Sequence, residues 1–263
     1  MNDLMVFITN NFILFLLILV RVTGIFVAAP IFSRANIPML YKICLSAAIS
    51  FIMLPILIND YSIEADATLS IFFYAVSEFM IGLIIGFISF MFFSVLYLAG
   101  TIIDTQMGFG MVSVFDPQTN TQIPVMGNFY NNLLSLLFIV INGHHLLIKA
   151  LVHSYFLIPI GVAFNINLDA VNLFTAIMSE IFLLAFKFSA PVLLTIFLGN
   201  VVLGILARTM PQMNVFIVGL PLKIMIGITT VIITLQYFIP FSEMLFDRMI
   251  TAIYEMMQTL SRG

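Results

Sequence analysis

The sequence predicts an all-α membrane protein of about six long apolar helices, several of them kinked. Three observations lead there. Hydrophobic residues make up 62 % of the 263-residue chain and charged residues 8 %, against about 45–50 % and about 25 % in a soluble domain. No globular fold of this size can hide so much apolar surface from water, so lipid or a protein shell must be part of its solvent. The apolar residues also come in long runs without period-2 alternation, which excludes a barrel of short strands.

Taken in order, the runs place helices near 12–32, 41–58, 71–100, 129–152, 177–206 and 214–238. A spanning helix needs about 20 mostly apolar residues, and most of these qualify. The second is short and closes at Pro55. The breaks fall at Ser33–Lys42, Asn59–Thr68, Asp104–Asn128, Asn165–Asn172 and Ala207–Asn214. A last segment, 241–263, carries Glu243, Asp247, Arg248 and Glu255 among apolar residues and reads as an amphipathic helix facing an interface or a partner. The domain reading is one subunit over 1–263, with 104–127 as its central segment. Asp3 precedes the first apolar run and the first basic residue is Arg21, so that run is expected to stay rather than act as a cleaved signal.

Six plain crossings leave the charge rule undecided. Arg34, Lys42 and Arg208 fall on one side and Lys149, Arg248 and Arg262 on the other. Arg21, Glu78, Glu180, Lys187 and Lys223 lie inside apolar runs. Such charges usually face protein or water. Arg21 and Lys223 read equally as snorkelling side chains. Glu180 and Lys187 stand two turns apart on one helical face. Gly82 and Gly86 form a small-xxx-small pair that admits a close helix, from this chain or from another subunit. Pro191 and Pro221 are expected to interrupt or kink their helices.

Net charge is −3 and no basic stripe exists, so nucleic acid is not an expected partner. The single cysteine, Cys44, excludes an internal disulfide. His144, His145 and His153 lack ligand spacing, and no phosphate loop, HExxH or GxSxG occurs. No cofactor, metal or catalytic residue is expected, and the chain does not read as an enzyme.

The central stretch Asp104–Gly127 differs from the rest. Gly108 and Gly110 allow left-handed backbone, and Asp116-Pro117 is turn chemistry. Met107, Phe109, Met111, Val112, Val114 and Phe115 are bulky and apolar. The residues fit either a loop with buried anchors or a constriction that can rearrange, for which methionine is well suited.

Four stretches carry a resemblance that covers nearly the whole chain: "RVTGIFVAAPIFSRANIPMLYK", "GTIIDTQMGFGMVSVFDPQTNTQIPV", "LLFIVINGHHLLIKALVHSYFLIPIG" and "APVLLTIFLGNVVLGILARTMPQMNVFIVGLPLKI". Together they resemble the FliR/SctT family of type III export-gate subunits, on its flagellar side. The resemblance implies a subunit of the flagellar protein export channel, built with FliP-like and FliQ-like subunits and flanked by FlhA- and FlhB-like proteins. Unfolded substrates would pass through the assembly. It implies a place in the bacterial inner (cytoplasmic) membrane at the centre of the basal body, part of it toward the periplasm.

It further implies that Gln106 to Gln122 act as a pore plug, with Gln106, Met107, Gly108, Phe109, Gly110, Met111, Val112, Val114, Phe115, Asp116 and Pro117 at the gate. Gly82, Gly86, Gly143, His144, Glu180, Lys187, Arg208, Pro211, Gln212 and Asn214 are then expected to pack subunits together. The competing functions are a virulence export gate and a small-solute transporter using Glu180, Lys187 and Lys223. The transporter reading expects inverted repeats, and the two halves show no clear one.

Overall fold

The structure, a computed structural model, describes residues 2–34, 37–58, 68–109, 124–161, 167–212 and 214–262. Among them every regular element is helical. In chain order these are α1 Asn2–Ala28, α2 Met39–Leu57, α3 Thr68–Met107, α4 Val125–Val140, α5 Gly143–Leu157, α6 Leu168–Thr209, α7 Val215–Thr234, a 3-10 turn Leu235–Tyr237, and α8 Phe238–Ser261. Five spans are long and apolar enough to cross a membrane, and α4 with α5 would make a sixth.

Several boundaries differ from those the sequence suggested. The helix expected over 129–152 is two helices bent by 71° at a short break. Asn142 sits there at φ 59°, ψ 32° with Gly143 next, and asparagine tolerates the left-handed region better than most residues. Pro191 and Pro221 lie inside α6 and α7 without ending them. Pro55 likewise lies within α2, which continues to Leu57. α8 starts at Phe238, so Pro240 falls in its first turn, where a missing N–H costs nothing.

The length of two helices also departs from plain crossings. α3 has 40 residues and α6 has 42. At about 1.5 Å per residue each is about 60 Å long, twice a hydrocarbon core of about 30 Å. Tilting by the usual range does not absorb that excess. Both helices must carry apolar surface beyond the hydrocarbon.

The chain forms two compact units. The first comprises 1–92, 142–177 and 247–263. Its centre is a crossing of α1 and α3 thinned by glycine. A Cβ on Gly24 would lie 2.6 Å from the Phe79 carbonyl oxygen, and one on Gly82 would overlap the Arg21 carbonyl. Around it pack Leu14, Ile18, Val22 and Ile25 of α1 with Ile81, Ile85 and Ile88 of α3, all buried at helical spacing. Met249, Ile253, Met256 and Leu260 give α8 a buried stripe, with Arg248 and Glu255 outward. The amphipathic pattern of this segment is therefore present in α8.

The second unit comprises 93–141 and 178–246. Phe93, Phe138 and Phe246 form one aromatic cluster with centroids 5.2–5.8 Å apart. Tyr130, Phe188 and Phe238 form another. Thr195 of α6 meets Thr230 of α7 at 3.1 Å between hydroxyls. Much of α6 stays uncovered: Phe182, Phe186, Leu194, Phe197, Leu198, Val201, Val202 and Ile205 are all exposed. Apolar surface on that scale requires lipid or a partner.

Candidate functional site at the base of the central segment

The central segment leaves and returns at one pinned point. Asp104 is in the last turn of α3, not in a loop as the sequence suggested, and Val125–Asn128 are the first turn of α4. The Asp104 carboxylate accepts the Met126 amide at 3.1 and 3.0 Å and the Gly127 amide at 3.3 Å. Those amides are unpaired donors at a helix N-terminus, where a negative charge is favoured. Just above, Gly127 lies against Gly100, and a Cβ on Gly100 would come within 2.5 Å of the Gly127 Cα. Glycine at 100 lets the two backbones touch, and a Cβ on Gly127 would be tight, 3.1 Å from the Tyr97 carbonyl oxygen.

α3 stops because Gly108 takes φ +87°, and its amide still reaches the Asp104 carbonyl at 3.1 Å. Met107, immediately before, is fully buried, and its side chain fills the notch left by Gly227 of α7. Gln106 is exposed and Phe109 half-buried. The other expected gate residues, Gly110, Met111, Val112, Val114, Phe115, Asp116 and Pro117, lie outside the described residues. Next to this base is a cleft of about 410 Å³. It is lined by Gln106 and Gly108 from α3 and its end, Asn200 and Gly204 from α6, and Gly219 and Lys223 from α7.

The expected packing residues do not gather at one place. Gly82 and Gly86 meet α1 of the same chain: a Cβ on Gly86 would sit 2.9 Å from the Ala28 Cβ. Gly143 is buried at the start of α5 beside the left-handed Asn142, and His144 is half-buried with its ring 4.2 Å from that of His145. On α6, Glu180 is half-buried and Lys187 exposed. Arg208, Pro211, Gln212 and Asn214 are exposed at the α6–α7 turn, where the Asn214 side chain caps α7 through the Ile217 amide at 3.3 Å. Among the described residues no cluster of three or more His, Cys, Asp or Glu could hold a metal.

One arrangement was not foreseen. Arg21 does not snorkel: with Glu78 it forms a fully buried ion pair at 2.5 Å. Arg21 also donates to the Ser154 hydroxyl at 3.1 Å and the Ile158 carbonyl at 3.0 Å, and lies 4.0 Å over the Tyr155 ring. Tyr155 in turn donates to the Ile18 carbonyl at 3.2 Å. One guanidinium thus ties α1, α3 and α5. The signal in the sequence is the presence of two opposite lone charges in the first and third apolar runs.

Comparison with known proteins adds family information. The pattern of the family described as "Bacterial export proteins, family 1" matches residues 12–249. The flagellar biosynthetic protein FliR of Bacillus subtilis strain 168 is 36 % identical over 224 residues, 84 % of this chain and 86 % of the relative. FliR of Escherichia coli K12 is 31 % identical over 243 residues, 92 % of each. The Yop proteins translocation protein T of Yersinia pestis is 30 % identical over 209 residues, 79 % of this chain and 80 % of the relative.

Proposed function

Because the chain belongs to the family of bacterial export proteins, family 1, we propose that it is a structural and gating subunit of the flagellar type III protein export channel. The observation that carries the gating role is the pinned base of the central segment. Asp104 and the Gly100–Gly127 contact bring both ends of 104–127 to one point. What lies between is then a projection from a fixed root rather than a linker between distant elements.

In this reading the projection occludes the pore when no substrate is in transit. A narrow apolar gap excludes water and hence ions. Phe109, Met111, Val112, Val114 and Phe115 supply the apolar side chains, and Gly108 and Gly110 the backbone freedom to swing aside. An unfolded substrate displaces the projection without any bond being made or broken, so the role requires no catalytic group. FliP-like and FliQ-like subunits complete the pore, and FlhA- and FlhB-like proteins adjoin it. The exposed apolar faces of α6 and α7 are the surfaces such neighbours would cover. The site of action is the inner membrane at the centre of the basal body, with part of the long helices toward the periplasm. A virulence export gate is the second reading, supported by the Yersinia relative.

Native mass spectrometry of the tagged chain, gently solubilised from its own host, tests this function. A particle holding FliP-like and FliQ-like subunits is the expected result. A lone chain or a homo-oligomer would overturn it in favour of a solute transporter.

A further inference from the structure

The cleft beside the central segment holds a charge with no counter-charge among the described residues. Lys223 is half-buried in α7, in a run that is otherwise neutral from Val215 to Thr234. Among the described residues it makes no ion pair, and no carboxylate lines the cleft around it. The other polar groups there, Thr105, Gln106 and Asn200, are neutral. A cation at that depth calls for a counter-charge from protein.

The same chain shows how such a charge is satisfied. Arg21 in α1 is met by Glu78 from α3, at a helix crossing thinned by Gly24, Gly82 and Gly86. The Lys223 cleft has the same ingredients, with no acid among the described residues that line it. Glycines 108, 204 and 219 thin its walls, and a Cβ on Gly204 would meet nothing within 4 Å. Its flanks are apolar and exposed: Val201 and Ile205 on α6, Val218 and Met225 on α7.

We propose that the Lys223 cleft is a docking site for an apolar helix of a partner subunit, which inserts one carboxylate against Lys223 and lays its backbone over Gly204. The proposal rests on the export-channel reading, since it needs a neighbouring subunit. Gln106 and Asn200 would donate to the carboxylate oxygen that Lys223 leaves free. Docking there would couple the partner to the root of the central segment, because Gln106 and Gly108 line the same cleft.

Zero-length carbodiimide coupling in native membranes from the host tests this. The reagent joins the Lys223 Nζ to a carboxyl in direct contact, and peptide mass spectrometry locates the bond. The expected product joins Lys223 to an Asp or Glu in an apolar helix of a different subunit. It should be lost in Lys223→Gln and unchanged in Lys187→Gln. Exchanging the charges, Lys223→Glu with that acid changed to Lys, should restore complex yield about tenfold over either single change, as for a close ion pair. Three results would overturn the proposal: a Lys223 that remains open to reductive methylation in the intact particle, a bond to an acid of this chain or of a second copy, or no rescue by the exchange. If no other export subunit copurifies, the export-channel reading itself has failed. If subunits copurify and Lys223 stays reactive, only the docking site has.

Discussion

Glu78 of α3 holds Arg21 of α1 in an ion pair with both side chains closed to solvent. Removing one partner leaves the other charge buried, which costs about 3–5 kcal/mol. Glu78→Gln and Arg21→Ala should each therefore sharply lower the amount of folded chain in membranes. The double variant Arg21→Met/Glu78→Leu should recover most of it, because two apolar side chains leave no uncompensated charge. A double-mutant cycle on thermal melting of the solubilised chain measures the coupling. Additive losses would show that the pair is not the unit that matters.

Asp104 caps α4 from the end of α3. Asp104→Ala should cost about 1–2 kcal/mol, the loss of an N-cap with charge. Asp104→Asn keeps an acceptor and should cost less. Protease sensitivity at the start of α4 is the readout, and it should rise in the order wild type, Asn, Ala. Equal sensitivity in all three would mean that the Gly100–Gly127 contact alone holds the base.

Two glycines on the long helices should behave in opposite ways. Gly82→Ala drives a methyl into the Arg21 carbonyl, with backbone on both sides. The cost should exceed about 3 kcal/mol, beyond ordinary overpacking. Gly204→Ala meets nothing within 4 Å in the chain itself. It should leave the melting temperature of the isolated chain unchanged or slightly higher, since alanine favours helix by about 1 kcal/mol over glycine. A bulkier change, Gly204→Phe, should spare the isolated chain and reduce incorporation into the complex, as measured by co-purification.

Met107 fills the notch at Gly227 and is fully buried. Met107→Ala should cost about 2–5 kcal/mol. Met107→Leu conserves volume and should cost less than about 1.5 kcal/mol. Melting of the solubilised chain separates the two. A larger loss with Leu than with Ala would show that the methionine is not packed as described.

The all-α membrane class and most helix positions were legible in the sequence, because apolar runs of this length have few alternatives. The corner at Asn142 was not, although "ING" carries a turn signal, because the apolar pattern runs through it without a break. The ends of α3 and α4 were obscured because Asp104 looks like a loop residue until its partners, 22 and 23 positions away, are seen. The same distance problem hid the Arg21–Glu78 pair, whose members are 57 residues apart. Gly82 and Gly86 announced a close approach, but a periodicity cannot say whether the neighbour is α1 or another subunit. Met107 read as a gate residue with Met111 and Phe115. It lies buried against Gly227 of α7.

In the proposed function, the segment beyond Met107 keeps the export channel closed. Ion flux through the purified multi-subunit particle, reconstituted in vesicles, tests it most directly. Deleting 110–120 leaves Met107, Asp104 and the base intact, so assembly should persist while ion leak rises well above wild type. Phe115→Asp should also leak, since a charge hydrates an apolar gap, whereas Thr121→Asp should not. An assembled particle that lacks 110–120 and stays as tight to ions as wild type would rule out the segment as the plug.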